Sequence, residues 1–343
     1  MVRSKQEMNY QKQLSVILPL HNVEGYVAKA AESIRSQAFD GLEVVVVDDG
    51  SSDNSLEACL DGLRALDVVA VSQENTGPGG ARNAGLLAAS GLYVMFVDGD
   101  DFLLPGAFES ILQVLESERP DVLFGRYLRW TPETGFLEVR KYRFDPPKDP
   151  EKRTEYILGA LPEPSWNVWR YICRRELIIE HGILFESSMY CEDVKWIMEL
   201  LSAAERTSGR ISFLPKPFYA YNYRRPNSIM NSYTIKRIVD LNTIVEELLD
   251  KYQDRPAICR ILIWQSFFYI NEYCAFGKDE RERIFQSYRV VLPRYVLSNS
   301  VIHRIAGKMD NPALFYTLSL SLAAVKNMRR AFLNLKSRAK QQR

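Results

Sequence analysis

Hydrophobic positions in the first third of the chain follow two alternating patterns. Short, mostly apolar runs rich in β-favouring residues stand at 14–20, 42–47, 68–72 and 93–97. Runs of this length with both faces apolar mark strands buried on two sides, as in a parallel sheet. Between them the spacing is helical. Residues 26–37 place Val27, Ala30, Ala31 and Ile34 on one face, a second helix is predicted over 54–66, and 81–89 is a small-residue helix that can lie close to a sheet. Strand and helix alternate with short joints, which predicts right-handed βαβ units and an α/β fold with a mostly parallel, Rossmann-like sheet. The pattern does not set the strand order.

Each apolar run stops at polar or glycine-rich residues. The first runs into His21-Asn22-Val23-Glu24-Gly25 and the second into Asp48-Asp49-Gly50-Ser51-Ser52-Asp53. The third meets Glu74-Asn75-Thr76-Gly77-Pro78-Gly79-Gly80, a glycine loop, and the fourth meets Asp98-Gly99-Asp100-Asp101. In an open α/β sheet such turns share the carboxyl edge, where ligands bind. Gly99 allows a tight turn there, and Pro105 suits the first turn of a following helix. Three carboxylates so close together repel one another. A divalent cation relieves that repulsion, and oxygen-only ligands favour Mg²⁺ or Mn²⁺ over zinc. The alternative is that Asp98 and Asp101 cap the next helix while Asp100 faces water.

The pattern changes further along. Residues 121–127 form a strand that runs into a β-rich excursion reaching 144, and Pro146, Pro147 and Pro150 then break the chain. Trp166 and Trp169, three apart, suit a buried helix face, or sugar C–H surfaces if one of them is exposed. A further strand is predicted at 211–214. From 235 the spacing is helical, with Ile238, Leu241, Ile244, Val245, Leu248 and Leu249 on one face and more helices near 257–275, 280–292 and 312–335. The chain divides accordingly into a polar, disordered lead-in (1–13), an α/β domain (14–232, in halves 14–125 and 126–232) and a helical C-terminal region (233–343).

Composition narrows the function classes. The 343 residues carry 44 Lys and Arg against 43 Asp and Glu, a balance that argues against a broad nucleic-acid-binding surface. The five cysteines are scattered and form no C-x-x-C pair, the pattern of reduced cytoplasmic thiols. No secretory signal opens the chain. Its longest membrane-like stretch, 313–325, is short of the ~20 apolar residues a spanning helix needs. The end of the chain is basic, with Lys326, Arg329, Arg330, Lys336, Arg338, Lys340 and Arg343 and no acid after Asp310. Such a tail suits an anionic membrane surface, which would put the protein at the inner face of the cell membrane. Packing on its own helices or on a second copy is the alternative, and the sequence leaves the oligomeric state open.

No Gly-x-Gly-x-x-Gly follows the first strand and no Walker-type loop is present, so the two common phosphate cradles are unsupported. Carboxylates after strands two and four, with a glycine loop leading to Arg82, suit a ligand with base and ribose edges at one end and a metal-bound diphosphate at the other.

Four stretches then match a family. Ser15-Val-Ile-Leu-Pro-Leu-His-Asn22, Val46-Val-Asp-Asp-Gly-Ser-Ser-Asp53, Glu74-Asn-Thr-Gly-Pro-Gly-Gly-Ala-Arg-Asn-Ala-Gly85 and Phe96-Val-Asp-Gly-Asp-Asp101 occur in order. Together they resemble the GT-A-fold family 2 glycosyltransferases, the inverting group that builds bacterial surface polysaccharides. The resemblance is dense over 14–123 and thins beyond Arg126. It implies that Pro19, His21, Asn22 and Glu24 line the base and ribose of a nucleotide sugar, and that Asp49, beside Asp48 and Gly50, meets the uracil edge. Arg82 and Asn83 would approach the ribose and diphosphate. Asp98 and Gly99 would sit by the ribose or metal, with Asp100 the main ligand of a Mn²⁺ or Mg²⁺ ion. His21 stands where the family often has Tyr, a ring swap rather than a zinc ligand. For Arg82 the alternative is a salt bridge to Asp48 or Glu74.

Glu192-Asp193 resembles the family's Glu-Asp motif, whose aspartate is the general base. The bland alternative is a helix N-terminal pair favoured by the dipole. Arg224 or Arg225 could reach the diphosphate, or be surface arginines. The implied activity is metal-dependent inverting transfer of a sugar, with UDP-sugar as donor, to a saccharide or lipid-linked acceptor. A sugar-nucleotide-binding module without turnover is the alternative.

Overall fold

The four apolar runs become adjacent parallel strands. In the computed structural model, residues 12–137, 145–160, 166–223, 234–267, 270–297 and 316 are described. β1 (Leu14–Leu20), β2 (Leu42–Asp49), β3 (Val68–Gln73) and β4 (Tyr93–Phe96) pair in parallel in the order β3-β2-β1-β4. β1 is flanked on both sides, and its Val16, Ile17 and Leu18 are fully buried, which is why no alternation shows in its sequence. The chain steps from β1 to β2 and β3 on one side, then crosses to β4 on the other. That reversal opens a crevice outside the carboxyl ends of β1 and β4.

Helices α1 (Glu24–Arg35), α2 (Ser55–Gly62), α3 (Gly77–Ala88) and α4 (Ala107–Glu118) complete this half. α1 buries Val27, Ala30, Ala31 and Ile34, the face its spacing predicts. α2 is shorter than the predicted 54–66, because the chain leaves the helix in tight turns at Leu63 and Leu66. α3 begins four residues before the predicted start. Gly77–Gly80 is its first turn rather than a loop, and Pro78 sits where a missing N–H costs nothing. The helix does lie close to the sheet: a Cβ on Gly85 would come within 2.3 Å of Ile17 Cγ2.

Beyond Asp101 the sheet becomes mixed. A short β5 (Phe102–Leu103), which the sequence pattern does not predict, precedes α4, and Pro105, expected in the first turn of that helix, lies two residues before its start at Ala107. β6 (Val122–Thr131) forms a hairpin with β7 (Gly135–Leu137), and after a helical turn, α5 (Arg153–Glu155), come β8 (Tyr171–Arg174), α6 (Arg175–Glu180), α7 (Glu192–Thr207) and β9 (Ile211–Asn222). The order continues β4-β8-β6-β9-β5. β8 runs antiparallel between β4 and β6, while β9 lies parallel to β6 and antiparallel to β5. β9 extends well past the predicted 211–214. Pro215 and Pro217 are tolerated because the ladder shifts register around Arg126, where their missing N–H groups are not needed.

The chain divides into two compact units, Met1–Ser228 and Ile229–Arg343. In the second, α8 (Ile235–Lys251) buries Ile238, Leu241, Ile244, Val245, Leu248 and Leu249, and the Thr234 side chain caps it by accepting the Arg237 N–H at 3.2 Å. α9 (Pro256–Phe267) and α10 (Lys278–Val291) follow. The helix predicted over 257–275 is thus α9, with a separate 3₁₀ stretch at Ile270–Ala275. Among the described residues no helix is long and apolar enough to cross a membrane. The lead-in over 1–11, Arg224, Arg225, the helix predicted at 312–335 and the basic tail from Lys326 to Arg343 lie outside the described residues.

Candidate active site

The loops after β1 and β2 exchange helix caps. Glu24 accepts hydrogen bonds from the Asn54 N–H (3.3 Å) and Asn54 Nδ2 (3.0 Å) at the start of α2, while its own N–H donates to Asp53 Oδ2 at 3.1 Å. Each acid thereby satisfies an amide at the start of the other loop's helix. Partial burial raises Asp53, but hydrogen bonds from Ser55 and from the Glu24 and Ser55 amides outweigh it and hold the carboxyl below its usual value. Asn22, in the left-handed region at φ 51°, accepts from the Ser52 N–H at 2.8 Å and the Ser52 hydroxyl at 3.1 Å. His21 is exposed. Its Nδ1 lies 2.9 Å from the Asp49 carbonyl oxygen and its Nε2 3.2 Å from the side-chain amides of Asn22 and Asn75. Pro19 is half-buried opposite Val47.

Asp49, expected to meet a base edge, is buried and already engaged. Oδ1 accepts from Gln73 Nε2 (2.7 Å), the Thr76 N–H (2.9 Å) and the Thr76 hydroxyl (3.2 Å), and Oδ2 accepts the Gly77 N–H at 2.9 Å. The carboxylate caps α3 from a neighbouring strand, at the positive end of its dipole. This remote cap is why the helix starts as early as Gly77. Gly50, at φ 70°, leaves no room for a side chain, because a Cβ would stand 3.0 Å from the Asn75 nitrogen. Asp48 Oδ1 accepts the Ser51 N–H of its own turn at 3.2 Å.

Arg82 and Asn83 both turn toward the segment that leads into α7. The Arg82 guanidinium is buried, with Nη1 2.7 Å from Glu192 Oε1 and Nη2 3.1 Å from Asp98 Oδ1. Neither Asp48 nor Glu74, the partners weighed from sequence, is involved. Burial works against its charge, but Asp98, Glu192 and Asp193 hold it firmly protonated. Asn83 joins the Phe185 backbone twice: Nδ2 donates to the Phe185 carbonyl at 2.9 Å, and Oδ1 accepts the Phe185 N–H at 2.9 Å. Gly79 completes the fit, since a Cβ there would lie 2.9 Å from the Glu186 carbonyl oxygen and 3.2 Å from Glu192 Cγ. Where ribose and diphosphate contacts were expected of Arg82 and Asn83, the described contacts are with this segment and Asp98.

The segment is held from below by aromatic packing. Phe185 stacks on Trp196 at 4.7 Å between centroids, and both rings meet Phe96 of β4 edge-on. Ser188 and Cys191 take left-handed backbone conformations at φ 66° and 62°. α7 then opens with Glu192 and Asp193 in its first turn, as a dipole-favoured pair would. The half-buried Asp193 lies close enough for its charge to act on both Arg82 and Tyr171.

At the end of β4, the three acids have different surroundings. The Asp98 side chain is 28% exposed and Asp100 is half-buried. Asp101 is buried and caps no helix. Its Oδ2 accepts the Tyr219 hydroxyl proton at 2.7 Å and its Oδ1 the Asn222 N–H at 2.7 Å. Burial, then the charges of Asp100 and Asp98, push the Asp101 carboxyl well above its usual range. Gly99 is required by crowding, for a Cβ would sit 2.8 Å from Leu20 Cδ2. Tyr219 and Asn222 were not anticipated as partners of this turn; the one signal was the tyrosine-rich run from Tyr219 to Tyr223. Trp166 and Trp169 are both buried, and Trp169 stands on a 3₁₀ turn (Val168–Arg170) rather than a helix face.

Among the described residues no group of three or more His, Cys, Asp or Glu side chains is gathered around one point. Asp98 and Asp100 nonetheless offer two hard oxygen donors at a partly open strand end. That set fits an ion such as Mg²⁺, which takes one or two carboxylates and completes its shell with water and substrate phosphate.

Known proteins resemble this chain in sequence and in fold. Residues 15–168 match Glycosyl transferase family 2. "Uncharacterized glycosyltransferase EpsJ" of Bacillus subtilis (strain 168) is 29% identical over 219 residues, 63% of this chain and 62% of its own length, so the match spans less than two thirds of that relative. "Uncharacterized glycosyltransferase YibD" of Escherichia coli (strain K12) is 28% identical over 266 residues, covering 73% of this chain and 75% of that one. S. aureus TarS 1-349, solved in complex with UDP-GlcNAc, superposes with a TM-score of 0.72 at 21% identity, over 90% of this chain and 91% of its own, and so shares the fold. Residues 15–168, just under half of the chain, thus match glycosyl transferase family 2, and the chain shares the GT-A fold of TarS.

Proposed function

We propose that the chain is a metal-dependent inverting transferase that moves a sugar from a UDP-sugar to a saccharide or lipid-linked acceptor in cell-surface polysaccharide synthesis, working at the cytoplasmic face of the membrane. The observation that carries this reading is the double ion pair of Arg82, which links Asp98 at the donor-side strand end to Glu192, the residue before Asp193. Asp98, suited to a metal-bound diphosphate, and Glu192, the chain neighbour of the acid suited to proton removal, thus share one guanidinium.

In this reading the acceptor hydroxyl oxygen attacks the anomeric carbon on the face opposite the nucleoside diphosphate. Asp193 takes the hydroxyl proton as that bond forms, and the bond to the diphosphate breaks with inversion. Asp98 and Asp100 would hold Mg²⁺ or Mn²⁺, whose Lewis acidity, when bound, offsets charge on the departing diphosphate. Pro19, His21, Asn22, Glu24, Asp48 and Gly50 line the base and ribose end. Asp49 Oδ2, with one described hydrogen bond from Gly77, accepts a ring N–H. The preference for UDP takes support from TarS, a protein of the same fold solved with UDP-GlcNAc.

Thermal shift and hydrolysis across UDP-, GDP- and CMP-sugars, with and without Mn²⁺, test the reading, because a ligand stabilises the state that binds it. The expected result is a Mn²⁺-dependent UDP-sugar hit. No stabilisation by any donor would sink it, and an Asp193→Asn protein at full transfer rate would remove Asp193 as the base.

A further inference from the structure

The turn that carries Asp98 and Asp100 is closed from outside by β9. The Tyr219 hydroxyl oxygen accepts the Asp98 N–H at 3.1 Å and donates its proton to Asp101 Oδ2 at 2.7 Å. The Asn222 N–H donates to Asp101 Oδ1 at 2.7 Å, and the Asp101 N–H donates back across the turn to the Asp98 carbonyl at 2.9 Å. Immediately beyond, Phe102 pairs with Ala220 and Leu103 with Tyr219, and the Leu104 N–H donates to the Phe218 carbonyl at 2.8 Å. The Tyr219 ring is itself fixed: it is fully buried and stacks on Trp169 at 4.3 Å with 3° between planes.

Two consequences follow. Asp101, 1% exposed and with each oxygen taken by a buried donor, does not reach the crevice. And Asp98 cannot shift its backbone without giving up its bond to Tyr219. An unmade bond to a buried amide is costly, so the turn is held in one geometry. We propose that Tyr219 and Asp101 are positioning residues that fix Asp98 and Asp100 for the donor-side cation, and that Asp101 is not a ligand of it. This rests on reading Asp98 and Asp100 as the acids at the nucleotide diphosphate.

The test uses the full chain as wild type, Tyr219→Phe, Asp101→Asn and the double variant. Tyr219→Phe keeps the ring that stacks on Trp169 and removes only the hydroxyl. Mn²⁺ binding in the presence of UDP is read from the electron paramagnetic resonance signal of free Mn²⁺, and amide hydrogen exchange is followed over 97–104. Each single variant is expected to weaken Mn²⁺ about tenfold, the scale of one buried hydrogen bond, and the double variant no more than either single. Exchange in the turn should quicken while β1 and β2 keep their protection. Unchanged Mn²⁺ affinity beside faster exchange would make the contact purely structural and overturn the proposal. Loss of Mn²⁺ binding in Asp101→Asn but not in Tyr219→Phe would make Asp101 a ligand, which also overturns it. A wild-type protein that binds no Mn²⁺ with UDP would instead remove the donor-site reading, and that result appears before any variant is made.

Discussion

Arg82 Nη1 lies 2.7 Å from Glu192 Oε1, and both side chains are 9% exposed. The pair joins the third helix of the sheet domain to the first turn of α7, across more than a hundred residues of sequence. Removing either partner leaves a buried charge. With Glu192→Gln, Asp98 still neutralises the guanidinium, so the expected loss is about 1.5–3 kcal/mol, that of one charge-assisted hydrogen bond. Arg82→Met strands Glu192 without a cation and should cost about 3–5 kcal/mol. Urea denaturation at neutral pH measures both, and equal losses would contradict the bridging geometry.

Asp49 caps α3 with four accepted hydrogen bonds. Asp49→Ala is expected to lower stability by at least about 2 kcal/mol, because a cap is lost and buried amides are orphaned. Asp49→Ser, which keeps an acceptor oxygen, should recover part of that. Melting both variants without nucleotide separates the cap from any role in binding. A variant that melts like wild type and only fails to bind UDP would leave Asp49 as a ligand contact alone.

Two glycines make opposite predictions under the same substitution. A Cβ on Gly85 meets Ile17 Cγ2 at 2.3 Å, whereas a Cβ on Gly25, in α1, meets nothing within 4 Å. Gly85→Ala should destabilise by about 1–3 kcal/mol through overpacking. Gly25→Ala should stabilise by about 0.5–1 kcal/mol, because alanine loses less backbone freedom in a helix. Differential melting of the two proteins decides the matter.

The thiols set a limit at high pH. Burial pushes Cys59 up to about 12 and also raises Cys173 and Cys259. A thiol whose folded pKa lies above its unfolded value adds nothing unfavourable below about pH 9. Above that pH the unfolded chain ionises first, and stability falls with rising pH by up to about 1.4 kcal/mol per unit for each such group. Brief iodoacetamide treatment at pH 8, mapped by mass spectrometry, should leave these three cysteines unlabelled in the folded protein and label them in urea. Labelling of Cys59 in the folded protein would show that its burial is wrong.

Local chemistry explains what could be read in advance. β1, β2 and β4 declare themselves because strands buried on both faces need mostly apolar residues, and α1 because its core face repeats with helical spacing; β3, expected to be buried like them, is instead an edge strand with no fully buried residue. The turns after them are legible because helix starts and tight turns demand particular side chains. What escaped is long-range. Nothing near Arg82 indicates that its partner is Glu192, and nothing near Asp101 indicates that Tyr219 and Asn222 will meet it. β5 is two residues long, too short to carry a period. β8, set antiparallel between two earlier strands, is specified by the sheet edges it fills rather than by its own pattern. Asn83 was placed by analogy with a ligand contact, but its amide geometry matches a backbone, and it pairs with one at Phe185.

The insertion of β8 beside β4 also governs how the chain comes into being. β4 is apolar and buried, and among the described residues its outer edge is paired by β8. During synthesis, everything between Phe96 and Tyr171 must be made before that edge can close, roughly 4–15 s at the usual pace of translation. Throughout that interval a row of unpaired amides and carbonyls lies open on an otherwise formed sheet, a template for pairing with other chains. The region with the family signature, residues 15–168, stops just short of the strand that seals it. Cut there, the most recognisable part of the sequence would be a sticky fragment rather than a minimal enzyme.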